Sequence, residues 1–363
     1  MSYIGGASPP TMSATSPTPT SPRLRALDAA RVLATFGIVW THVSEGQALG
    51  DAWASLGRFG TSFYVIVAAI FVVQSAGRET PRSFIKEAAQ RSKRLLLPFL
   101  VWSLIYSGFY ASRGLGEGYG WVAISKWWGP LAGTAVHLWF LPFIFLWGLL
   151  GSLLARILLK RDPKTLTVVL VLLPPLIYWW CYRHLFLDLS RPWLWKWHLH
   201  RLDRWIVEVP PYLTALLAAV LVFRLPPGTR ARLSQSPLTL TAMGLVGFLG
   251  AQFLYAQNVD AIFRTTLSAG RFMANISGAF LLLFFLGSER RAWLARLAPL
   301  GKYTYGAFLS HMLFIEFGRQ PIKEVSGYGS PWLACLCSVL VFMASLGLSW
   351  LIQQTRLLRW LRP

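Results

Sequence analysis

A chain of 363 residues with 55% hydrophobic and only 13% charged side chains, at a mean hydropathy of +0.48, carries more apolar surface than a soluble domain can bury. The formal charge of +21 would suit nucleic acid, but the Lys and Arg residues lie in short segments between apolar runs. That spacing is the signature of membrane topology, so we read an all-α, polytopic integral membrane protein in contact with lipid and no nucleic acid.

Residues 1–24 open the chain as a Ser/Thr/Pro-rich stretch, uncharged through residue 22, which predicts a disordered cytoplasmic tail and not the basic start of a signal peptide. A transmembrane domain is expected over 25–355, followed by a basic cytoplasmic C-terminus at 356–363. About ten apolar stretches reach spanning length, at 27–45, 59–77, 95–112, 136–158, 165–182, 205–223, 238–256, 267–286, 300–318 and 331–353. Alternate connections, starting with the N-terminal tail, hold about twice as many Lys and Arg as the rest, which predicts that both termini are cytoplasmic. The 183–204 connection, with Arg183, Arg191, Lys196, Arg201 and Arg204, is the exception.

The first stretch carries the main polar signal. Arg31 and His42 are eleven residues apart, about 20° from whole turns, so one helix places them on a shared face about 16 Å apart. Asp28, Thr35 and Glu45 fall near the same stripe. A membrane helix keeps such groups where they face a protein interior or a watery cavity, so the stripe is a functional-site candidate.

Further along, Arg91, Lys93 and Arg94 stand before the third stretch, as an anchoring patch or as an electropositive mouth for a phosphorylated substrate. The fourth opens with HLWFLPFIF, where His137 and Trp139 are either substrate contacts or members of an interfacial aromatic belt. Trp193, Trp195 and Trp197 precede His198 and His200 in a segment that suits the lipid interface or sugar stacking. Glu208 stands next to Pro210 and Pro211, and GLVGFLG at 244–250 reads as a small-residue packing face. Arg271 lies a few residues inside the eighth stretch, where it either snorkels to the outer interface or, if buried, needs an acid or a substrate phosphate as partner. Ser310 and His311 interrupt the ninth. The thiols of Cys181, Cys335 and Cys337 suit apolar packing, and neither Cys-x-Cys nor His-x-His comes with a full set of metal ligands.

Taken in order, these pieces resemble the acyltransferase 3 family, the membrane-bound O-acyltransferases that act on sugars. The family's basic residue, ten intervening residues and His are met by Arg31 and His42 in LDAARVLATFGIVWTH. GTSFYVIVAAIF, QRSKRLLLPFLVW, HLWFLPFIF and YTYGAFLSHMLFI resemble its second-, third-, fourth- and penultimate-helix motifs, with Ala68 and Ala69 standing where Ser-Gly is usual. The resemblance implies acyl-coenzyme A, or a related carrier, as co-substrate with no bound cofactor, and an acceptor hydroxyl on a glycan or lipid-linked sugar. Arg31, Arg91 and Arg94 would then hold donor phosphate. His42 would act as general base or as an acylated intermediate, with Glu45 orienting its ring. His137, Trp139, Arg271 and His311 would contact substrate, in the cytoplasmic membrane of a bacterium. A transporter or flippase lined by Arg31, His42, Glu208 and Arg271 is the competing expectation, disfavoured by the lack of an internal repeat.

Overall fold

A computed structural model of the chain describes residues 25–44, 56–78, 83–113, 133–181, 203–224, 226, 228, 237–265, 267–288, 291–318 and 331–355. Every predicted apolar stretch falls on a helix, and the described residues contain no strand. The helices are α1 (Arg25–Ser44), α2 (Phe59–Ala76), α3 (Phe84–Ser112), α4 (Phe140–Leu158), α5 (Pro163–Cys181) and α6 (Asp203–Arg224). They continue with α7 (Pro237–Thr265), α8 (Leu267–Gly287), the short α9 (Ala292–Leu297) running into a 3-10 turn at Ala298–Lys302, α10 (Thr304–Phe317) and α11 (Pro331–Gln354). Glu45, the segment with Trp193 to His200, and the two terminal stretches lie outside the described residues, as do the side chains of Glu208 and Arg271.

Local sequence explains the starts. α5, α7 and α11 each begin on proline, whose missing N–H is one the first turn would leave unpaired anyway. Asp162 reinforces the start of α5 by accepting the Thr165 N–H at 2.9 Å. α3 begins eleven residues before its apolar stretch because Ser83 caps it, with Lys86 N–H donating at 3.4 Å, and Glu87 and Arg91 pair one turn apart. What reads in the sequence as a cytoplasmic connection is therefore largely helix.

The distribution of side chains is that of a protein in lipid. Leu100, Leu150, Val246, Leu249 and Leu340 point outward, whereas Thr35, Ser107, Ser338 and Ser345 are buried. Each of those inner hydroxyls donates to the carbonyl one turn earlier, at 2.7–2.8 Å, and so needs no water. By length and hydropathy Phe59–Ala76, Phe84–Ser112, Phe140–Leu158 and Trp332–Gln354 are long and apolar enough to cross a membrane. Not every helix meets that standard, because α1 carries Asp28, Arg31 and His42, and α10 has only 14 residues.

α1 is the centre of the bundle, packed against α2, α8, α9, the 3-10 turn, α10 and α11. Small residues allow the approach. A Cβ on Gly37 would stand 2.8 Å from the Gly57 carbonyl, one on Gly60 would collide with the Ala34 carbonyl, and one on Gly301 would meet Asp28 at 2.7 Å. The expected glycine face on α7 is used in the same way, with Gly244 and Gly247 against Phe284 and Phe280 of α8.

Candidate active site

Contacts along α10 fix the directions of its neighbours. Gly301 lies on Asp28 at the start of α1, the Tyr305 hydroxyl donates to the Arg94 carbonyl at 2.9 Å, and Tyr106 donates to the Leu309 carbonyl at 2.8 Å. Beyond these, the His311 ring lies 5.4 Å from that of His42, and Arg113 Nη1 donates to the Glu316 carbonyl at 2.9 Å. α1, α3 and α10 therefore run in the same direction. Arg31, Arg94 and Lys302 gather at one end, while His42, Arg113 and Glu316 gather toward the other.

At the first end Arg31 sits beside Asp28, with Nη1 and Oδ1 3.5 Å apart and its own side chain one-third exposed. The stripe above it faces protein, as its spacing requires. The Thr35 hydroxyl donates to the Arg31 carbonyl at 2.8 Å and lies 2.7 Å from the Tyr64 hydroxyl of α2. The Arg31 backbone is thus tied down while its side chain stays one-third exposed.

Three imidazoles meet at the upper end of this stripe. The His137 and His311 rings are 4.6 Å apart, and both are buried. His137 is not helical but lies in the turns that precede α4, four residues beyond Gly133. Gly133 has φ +72°, a conformation that favours glycine, and a Cβ there would also crowd Leu138 at 2.8 Å. Thr134 ties the same turn to α3 by donating to the Ser103 carbonyl at 2.8 Å.

The ring protons follow from the acceptors. A carbonyl can only accept, so His311 Nδ1, 2.7 Å from the Phe308 carbonyl, carries a proton, and so does His137 Nε2, 3.2 Å from the Leu309 carbonyl. In neutral rings the lone pairs are then on His311 Nε2 and His137 Nδ1, and the latter is buried with no hydrogen-bond partner among the described residues. Such a cluster can hold a proton or accept bonds from hydroxyls.

Other expected site residues are placed elsewhere. Trp139 is buried against Phe140 and Phe143, with ring centres 5.8 and 5.7 Å away. Arg94 is exposed near the start of α10, and Arg91 is paired with Glu87. Glu45 and the Arg271 side chain lie outside the described residues. Two groups that sequence reasoning passed over are Tyr106, hidden in an aromatic run, and Glu87, hidden in a basic one. An acid four residues before an arginine was the available signal for Glu87.

No curated protein and no solved structure gives a significant match to the chain. The profile of the acyltransferase 3 family, described as an acyltransferase domain, matches residues 24–353, from just before α1 to the last turn of α11. The chain is a membrane protein that belongs to the acyltransferase 3 family.

Proposed function

We propose that the protein moves an acyl group, acetyl in the simplest case, from acyl-coenzyme A to a hydroxyl of a surface glycan or lipid-linked sugar at a bacterial cytoplasmic membrane. The observation that carries this reading is the meeting of His42, His137 and His311 at the far end of the α1 stripe that begins with Arg31. Eleven residue steps of continuous helix lead from Arg31 to His42, about 16 Å, a distance that suits a donor whose phosphates and thioester are joined by a long pantetheine arm.

In this scheme Arg31 and the basic start of α3 hold donor phosphate on the cytoplasmic side. Neutral His42 takes the proton of the acceptor hydroxyl as its oxygen attacks the thioester carbonyl. The tetrahedral adduct collapses by breaking the carbon–sulfur bond, and the departing thiolate receives that proton, leaving an ester and the free thiol of coenzyme A. His137 and His311, with their N–H groups turned to backbone carbonyls, offer lone pairs that orient the sugar hydroxyls.

The test uses the full chain purified in lipid nanodiscs with acetyl-coenzyme A and envelope glycan fractions, following thiol release together with acetyl mass gain on the sugar. General base catalysis is worth about 10²–10⁴ in rate, so His42→Gln should lose about that factor while keeping its melting temperature. Near-normal transfer by His42→Gln would sink the assignment. Substrate flux without bond formation would favour the transporter reading instead.

A further inference from the structure

The basic residues before the third apolar stretch look like one patch in the sequence, but they have different surroundings in the structure. Lys93 and Arg94 are exposed. Arg91 turns back along α3, and its Nε and Nη2 donate to the same Glu87 oxygen at 3.2 and 2.8 Å. The second oxygen of Glu87 is held from α4, by the Ser152 hydroxyl at 2.9 Å and by Arg156 Nη2 at 3.4 Å. Glu87 is only 6% exposed. The helices are shaped around this knot: a Cβ on Gly148 would run into the Arg91 guanidinium, and one on Gly151 would strike the buried Tyr212 hydroxyl of α6.

A buried carboxylate held in this way keeps its partners, because removing one leaves an uncompensated charge. Arg91 directs Nε and Nη2 to Glu87 and packs Nη1 against Gly148, so its mostly buried guanidinium has little left to offer a donor phosphate. The mouth has better candidates. The Arg94 backbone is bonded to Tyr305, three residues after Lys302, and Lys302 is exposed on the 3-10 turn with its Nζ 4.7 Å from the Tyr303 ring centre.

Building on the acyl-coenzyme A reading, we propose that Arg91 is a positioning residue committed to Glu87, and that Arg94 and Lys302 join Arg31 in binding the donor's nucleotide phosphates. The Glu87 knot then serves to hold the start of α3 on α4, so that Arg94 stands over the start of α10.

Melting temperatures and donor kinetics of the purified full chain test this, comparing acetyl-coenzyme A with its 3′-dephospho analogue. Glu87→Gln and Arg91→Gln should each lower the melting temperature by about 5 °C and reduce kcat, while the ratio of KM values for the two donors stays within about twofold. Arg94→Gln and Lys302→Gln should keep the melting temperature, raise KM for acetyl-coenzyme A about tenfold and erase most of the preference for the 3′-phosphate. Should Arg91→Gln fail to fold, Arg91→Lys decides, since lysine keeps the charge but not the geometry of the pair. A lower melting temperature with donor preference retained supports positioning. An Arg91 variant with an unchanged melting temperature and a lost 3′-phosphate preference overturns it. If the wild-type chain uses neither donor, the acyl-coenzyme A reading fails together with the phosphate site, while the melting temperatures still decide the Glu87–Arg91 commitment.

Discussion

Replacing Tyr106 by Phe removes one oxygen from the base of the histidine cluster and nothing else. The ring is fully buried and keeps its contacts with Trp102 and Tyr110, whose centres are 5.9 and 6.2 Å away. The Tyr106 hydroxyl donates to the Leu309 carbonyl at 2.8 Å, and His137 Nε2 approaches the same carbonyl at 3.2 Å, so the Tyr106→Phe variant would leave that oxygen with a partner. The stability cost should therefore be that of one ordinary hydrogen bond, about 0.5–1.5 kcal/mol, or about 1–2 °C in melting temperature. Catalysis should suffer more. The Leu309 carbonyl anchors His137 and the adjacent Phe308 carbonyl holds His311 Nδ1, so a shift of Leu309 disturbs the stretch of α10 that places two of the three rings. A shift of about 1 Å in a reacting group can cost about 10²-fold in rate. Thiol release from acetyl-coenzyme A in nanodiscs, measured beside thermal unfolding, should show kcat falling about 10- to 100-fold with KM for the donor little changed. Wild-type kcat with the lowered melting temperature would show that the Leu309 anchor serves only the fold, and the reasoning would be refuted.

Gly60→Leu should force α1 and α2 apart where Gly60 meets the Ala34 carbonyl, costing at least about 1–3 kcal/mol and much of the folded yield, read by size-exclusion recovery and melting. Leu340 is 60% exposed on α11, so Leu340→Asp, harmless on a water-facing surface, should cost about 3 kcal/mol in lipid and deplete the membrane-integrated fraction, whereas undiminished integration would mean that α11 does not face lipid there. With Cys181, Cys335 and Cys337 replaced, Arg94→Cys and Arg113→Cys, near opposite ends of α3, should react with an impermeant maleimide from opposite sides of the membrane, Arg94→Cys from the cytoplasm. Labelling of both from one side would remove α3 as a spanning helix.

What the sequence reveals here is what local pattern controls. Apolar runs locate the helices, and the eleven-residue spacing puts Arg31 and His42 on a stripe that the folded protein does turn inward, against Tyr64 and His311. The glycines at 244 and 247 announce the contact with α8. Pairings between distant segments are different, because they depend on which helices are neighbours. Nothing around His137 or His311 says that their rings meet, since one sits in a turn set by Gly133 and the other in the middle of a short helix. The start of α3 was hidden by its charge: a hydropathy reading stops where Arg91 and Arg94 begin, although the Glu87–Arg91 pair is itself a helical signal. Charge counting likewise merges Arg91 with Arg94, and only the position of Glu87 separates them.

The ladder of contacts on α10 bears on how a transfer across a membrane could be arranged. From Gly301 to Glu316 the rungs cover 15 residue steps, about 22 Å if all were α-helical, which is less than a hydrocarbon core of about 30 Å. α10 is thus too short to span alone, and its partners α1 and α3 carry the connection between the two ends. If the histidines lay beside the basic mouth, donor and acceptor would have to arrive by the same route. Their separation along α1 removes that requirement on the proposed reading, because the phosphates can stay among cations at one end while only the thioester reaches His42. An acceptor then approaches from the end marked by Arg113 and Glu316, and neither substrate has to cross the bilayer whole. The same division explains why exposed charge is kept at Arg94 and Lys302, whereas the rings of the cluster are tied to the backbone: phosphate binding tolerates mobile side chains, and proton transfer does not.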